Sequence, residues 1–61
     1  MKLQEAILRL PDKQRIVFNM KYFDEMKYDD IAKVLDTSVG ALKASYHHAT
    51  KKIEHYLKST D

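Results

Sequence analysis

A chain of 61 residues, 33% of them charged and with a net charge of +2, has room for one small domain, and such a chain buries only about 60% of its unfolded surface. The absence of cysteine excludes disulfides and thiolate zinc sites and fits a reducing, cytoplasmic setting. No apolar run approaches the roughly 18 residues that span a bilayer, no signal-peptide core opens the chain, and no Gly-rich phosphate loop or Cys nucleophile points to an enzyme.

In chain order, Leu3, Ile7 and Leu10 recur at helical spacing with Ala6 beside them, which predicts a first helix over 2–10. Pro11 ends it. A proline lacks an N–H and its φ suits a first helical position, so a second helix is predicted over 11–23, with Asp12 favourable to the positive end of its dipole. Ile16, Val17, Met20 and Phe23 are its apolar positions. The segment from Asp24 to Lys27 reads as a polar loop. Tyr28, Ile31, Ala32 and Leu35 then fall at i, i+3, i+4 and i+7, the apolar face of a short third helix over 28–36. Lys27 is a poor cap for it, because an ammonium cannot accept a hydrogen bond, whereas Asp29 and Asp30 favour its dipole.

Asp36 and Thr37 break the pattern, and Ser38 stands where an N-cap belongs. Leu42, Tyr46, Ala49, Ile53 and Tyr56 mark the buried stripe of a longer fourth helix over 38–57, with Lys58 to Asp61 as a fraying tail. The expected fold class is all-α: a small three- to four-helix bundle with a helix-turn-helix, no wing, and a single domain across 1–61. Tyr28, Tyr46 and Tyr56 fall inward in this phasing and read as core rather than as a stacking stripe.

The other side of the fourth helix carries Gly40, Ala44, His47, His48, Lys51, His55 and Lys58, with no acidic residue expected among them. Gly40, Ala41 and Ala44 are small enough to let the backbone approach the floor of a major groove, and Lys43, His47, His48 and Lys51 supply donors. Charge follows the same division. Residues 1–36 hold seven Lys/Arg against seven Asp/Glu, whereas 37–61 hold four Lys against Glu54 and Asp61. An ordinary solvated helix face would share that charge pattern, but the turn spacing and the charge placement together favour DNA. No catalytic residue, cofactor or metal is expected: Asp29 and Asp30 point about 100° apart, and His48 and His55 lie about 10 Å apart along the helix, too far to share one ion.

Several segments in order resemble the fourth conserved region of bacterial sigma factors, especially the extracytoplasmic-function group. They are Leu10-Pro11-Asp12-Lys13-Gln14-Arg15, Val17-Phe18, Lys21-Tyr22-Phe23, Tyr28-Asp29-Asp30-Ile31-Ala32, Ser38-Val39-Gly40-Ala41-Leu42-Lys43, and Ala49 with Lys51-Lys52-Ile53. The resemblance implies a domain that reads the minus-35 element of double-stranded promoter DNA and docks on the beta-flap of RNA polymerase core, with an anti-sigma factor as a further partner. Lys43, Ala44, His47 and His48 match the DNA-contacting positions, with Gly40 and Ala41 near base edges and Lys27, Tyr28, Ser38 and Lys51 as phosphate contacts. Arg15, Ile16, Met20 and Phe23 match the polymerase-contacting region, although core packing is the preferred role for the apolar three.

Departures from the family pattern carry expectations of their own. Asp36 and Thr37 stand where Gly and an aliphatic residue are common, so the turn is expected to close differently. Ala41 replaces a frequent Thr, and Ser45 and His48 stand where Arg is frequent, which implies weak, pH-sensitive DNA binding by the isolated domain. Nothing resembles the region-two domain of whole sigma factors, so the chain reads as a C-terminal fragment of one. Two other readings share the helix spacing: a protein-interaction module for polymerase or an anti-sigma factor, and a response-regulator output domain, which Leu10-Pro11 and Ser38-Val39-Gly40 match less well.

Overall fold

The computed structural model describes residues 2–59, which form four α-helices and, among the described residues, no strand: α1 (Lys2–Leu8), α2 (Asp12–Tyr22), α3 (Tyr28–Leu35) and α4 (Val39–Ser59). The all-α reading holds, and the helix ends differ from the predicted ones for local reasons. α1 stops at Leu8 because the chain tightens: the Arg9 and Leu10 amides donate to the carbonyls of Ala6 and Ile7, each at 3.1 Å. Leu10 precedes proline, whose ring disfavours the helical region for the residue before it. Pro11 is the N-cap of α2 rather than its first residue, with φ −55° and ψ 148°, and its carbonyl accepts the Arg15 amide at 2.9 Å.

After α2 the chain passes through Glu25 at φ 54°, and the loop is pinned from both sides. The Met26 amide donates to the Met20 carbonyl at 3.1 Å, and the Lys21 ammonium donates to the Met26 carbonyl at 3.2 Å. Lys27 precedes α3 without any side-chain cap, as its chemistry requires, and offers only its carbonyl to the Asp30 and Ile31 amides at 3.0 and 3.1 Å. Asp36 ends α3 in the left-handed region at φ 52° and ψ 54°, and the Thr37 amide returns to the Ala32 carbonyl at 3.1 Å. The turn therefore closes in the left-handed conformation that a glycine commonly supplies, contrary to the expectation from its sequence, because aspartate tolerates that conformation better than most side chains.

Ser38 caps α4 as predicted: its Oγ accepts the Ala41 amide at 3.1 Å. α4 runs past the predicted end. Lys58 donates to Glu54 at 3.2 Å and the Ser59 hydroxyl donates to the Tyr56 carbonyl at 3.1 Å, so these two residues are helix rather than tail; Thr60 and Asp61 lie outside the described residues.

α4 packs on all three other helices, and its two halves belong to different cores. Ala49 and Ile53 close on Ala6, Ile7 and Leu10 of the α1 end and on Phe18 of α2. Leu42 closes on Val17 and on Ile31, which is 0% exposed, with Met20, Met26, Tyr28 and Leu35 packed around them. Tyr46 touches both clusters and stacks on Phe18 with ring centroids 5.7 Å apart. Burial, then the neighbouring Tyr28 and Tyr22, push its phenol above the usual value of 10.0. It is a neutral core side chain. Burying each Leu or Ile side chain here stabilises the domain by about 1.5–3 kcal/mol.

Candidate nucleic-acid interface

α3, the turn from Asp36 to Ser38, and α4 form a helix-turn-helix. The Ser38 cap and the Ile31–Leu42 contact fix how α4 leaves the turn, and that orientation sends one side of the helix outward. Gly40, Ala41, Lys43, Ala44, His47, His48 and Lys51 all lie exposed on it. Gly40 is informative because nothing inside the protein calls for it. Its φ is not positive, and a Cβ built there would meet no atom within 4 Å. A helical glycine costs roughly 0.5–1 kcal/mol relative to alanine. The His47 and His48 rings splay from adjacent positions, with centroids 6.0 Å apart and planes at 56°.

Beside this surface, α2, α3 and α4 converge on one shallow cleft lined by Lys21, Lys27, Tyr28, Asp29, Val39 and Lys43. The Lys21 ammonium lies 4.5 Å from the centroid of the Tyr28 ring and that of Lys43 lies 5.9 Å from it. Both keep donors to spare. The uncapped first amides of α3 open the same corner to an anion, because the first turn of a helix has no intrahelical acceptors for them. Lys27, Tyr28 and Lys43 were legible candidates; Lys21 was not, since its own helix shows it only as one polar position among several.

Glu54 corrects the reading of an acid-free face. It is exposed on the polar side of α4, where the Lys58 hydrogen bond first, then the charges of Lys58 and Lys51, hold its carboxyl below the usual range. Lys58 is thereby paired at the surface. The uninterrupted stretch runs from Gly40 to Lys52. The Ser38 Oγ accepts the Ala41 amide in the cap, which leaves its exposed O–H as a donor for a phosphate.

The residues matched to polymerase contact divide. Met20 packs on the α3–α4 core, whereas Ile16 is 44% and Phe23 51% exposed, so core packing fails for those two. Phe18 takes the inward position on α2, and at about 100° per residue Ile16 and Phe23 then face the other way. Leu8, and Tyr22 of the Lys21-Tyr22-Phe23 segment, are exposed as well. Tyr22 and Phe23 meet edge to face at 5.0 Å, and Tyr22 stacks on Phe18 at 5.1 Å. Gln4, Ile7, Leu8, Arg15, Asn19 and Phe23 line a shallow groove between α1 and α2, and Arg15 is held there by Asp12 at 2.6 Å.

A helix-turn-helix with no strand among the described residues and a long, exposed, cationic second helix is the class that fold and surface define together. More narrowly, the chain belongs to the sigma factor family described as Sigma-70, region 4, whose model matches residues 1–53. It is 36% identical over 56 residues to the ECF RNA polymerase sigma factor SigW of Bacillus subtilis (strain 168), a match covering 92% of this chain and 30% of that protein. No solved structure matches the chain. Family membership removes the response-regulator alternative, and no described helix is long and apolar enough to cross a membrane.

Proposed function

We propose that this domain reads the minus-35 promoter element in the major groove through the first turns of α4 and docks on the beta-flap of RNA polymerase core through α1 and α2, in the cytoplasm. The observation that carries the reading is the surface around Gly40: three small residues, one of them a glycine without an internal reason, flanked by donors and free of acids. Gly40, Ala41 and Ala44 admit the base edges; Lys43, His47 and His48 donate to them; Lys51 meets phosphate. Lys21, Lys27 and the first amides of α3 hold a backbone phosphate over the Tyr28 ring, with Ser38 keeping the turn in register.

A second surface supports the docking half. Leu8 and Phe23 leave apolar area uncovered in the α1–α2 groove, and Ile16 and Tyr22 are exposed on α2, which suits an amphipathic segment of polymerase; an anti-sigma factor would compete for the same face. Binding to a pool of short duplexes at low and moderate salt tests the DNA half. The parent enriches selected sites, and a variant with His47→Ala, His48→Ala and Lys51→Ala loses that enrichment. Equal, sequence-blind binding by both proteins would leave a protein-docking module in its place.

A further inference from the structure

The C-terminal half of α4 carries a second cationic cleft that shares only Lys51 with the surface proposed to read the groove. Arg9 and Leu10 at the end of α1 face Lys51, Lys52, His55 and Tyr56 across a cleft. The Arg9 guanidinium carbon lies 4.7 Å from the centroid of the Tyr56 ring. A guanidinium held over a ring by a cation–π contact does not use up its N–H donors, and paired N–H groups of a guanidinium fit the two oxygens of a phosphate. Among the described residues no ion pair ties Arg9, Lys51 or Lys52. The nearest acids are otherwise engaged: Glu54 with Lys58 and more weakly with Lys51, and Glu5 as acceptor of the Tyr56 hydroxyl at 3.3 Å.

Helix length decides what such a site can meet. At a rise of 1.5 Å per residue, Lys51 lies about 16 Å and His55 about 22 Å along the axis from Gly40, whereas the major groove is about 12 Å wide. A helix whose first turns sit against base edges therefore carries these residues past the groove, to the level of the flanking sugar-phosphate backbone. Packing of α1 on α4 adds Arg9 to that level from a distant part of the chain.

We infer that Arg9, Lys52 and His55 form a backbone clamp for the DNA flanking the element that α4 reads, which makes α1 part of the nucleic-acid interface as well as of the docking face. The inference rests on the DNA-reading function proposed above. The clamp adds affinity without sequence information, because every phosphate is alike.

The test measures affinity against salt for the 61-residue chain, its Arg9→Gln/Lys52→Gln variant, Arg9→Lys, and Lys43→Ala as the groove-side control, on a selected duplex with long or trimmed flanks. Helicity by circular dichroism controls for folding, and Arg9→Lys retains the charge if the double variant is unstable. The double variant loses affinity on every sequence by the same factor, and its log–log salt slope falls by about 0.9 for each phosphate given up, near 1.8 for the pair. Trimming the flank erases the difference, and Arg9→Lys keeps the slope while binding less tightly. If the parent binds and Lys43→Ala weakens it, yet the double variant matches the parent in affinity and slope, the clamp is overturned and the reading stands. If the double variant instead loses only a polyglutamate probe, the cleft takes an acidic protein segment and the clamp is likewise overturned. Absence of DNA binding by the parent overturns both.

Discussion

The two halves of α4 lie on one continuous helix yet differ in what holds them and in what they show to solvent. The first half is held by Val17 and Ile31 through Leu42, and it presents small residues and donors with no acid. The second half is held by the end of α1 and by Phe18 through Ala49 and Ile53, and it presents Lys51, Lys52 and His55 beside the Glu54–Lys58 pair. Under the proposed reading, close approach to base edges calls for the small residues around Gly40 at a cost in helix propensity, whereas backbone contact tolerates distance and the exposed Glu54–Lys58 pair, so the second half can use long side chains. Tyr46 touches both cores and makes the two halves one rigid unit.

The comparison breaks first at Ile31. Ile31→Ala empties a fully buried site and lowers the unfolding free energy by about 2–5 kcal/mol, most of what a core of this size supplies. A thermal melt followed by circular dichroism should lose its cooperative transition; an unchanged melt would deny that α3 anchors the first half of α4. Removing the cap is milder: Ser38→Ala leaves the Ala41 amide without its acceptor and costs about 1 kcal/mol, read as a lower urea midpoint with unchanged m-value.

Gly40→Ala separates stability from function. With no atom near the new Cβ, it stabilises the domain by about 0.5–1 kcal/mol while weakening binding to the selected duplex in a fluorescence titration. Unchanged or tighter DNA binding would show that the glycine serves no close approach. The smallest effect belongs to Glu54. Its carboxyl titrates below the usual value when folded, so its contribution is present above the unfolded pKa and is lost as pH falls through the folded one. At neutral pH Glu54→Gln removes that contribution, which is slight because the pair is solvent-exposed. Acid titration of the two proteins should converge at low pH, and a difference that grows on acidification would reverse the sign.

Most of the helices were legible because their signals are local. Pro11 before Asp12, Ser38 before Val39, and the stripe from Leu42 to Tyr56 each act within a turn or two of helix, and the corresponding elements stand within two residues of the expected ends. α2 was harder. Its sequence offers two apolar phases, one through Ile16 and Phe23 and one through Phe18, and periodicity alone cannot rank them. Packing against Tyr46, Ala49 and Ile53 selects Phe18 and turns Ile16 and Phe23 outward.

The candidate surface divides in the same way. The exposed row from Gly40 to Lys51 follows from helical phase, since residues opposite a buried stripe must face water. The Lys21–Tyr28–Lys43 corner and the Arg9–Tyr56 stack join residues from separate helices, and no local pattern contains them.

By itself the amino-acid sequence determined an all-α helix-turn-helix, the Ser38 cap of α4, and which side of α4 faces solvent, because backbone capping and hydrophobic periodicity act over a few residues. Only the tertiary structure decided which face of α2 is buried and where cations from different helices converge. Those outcomes depend on how the helices fit against one another, and that fit is a property of the whole packed chain.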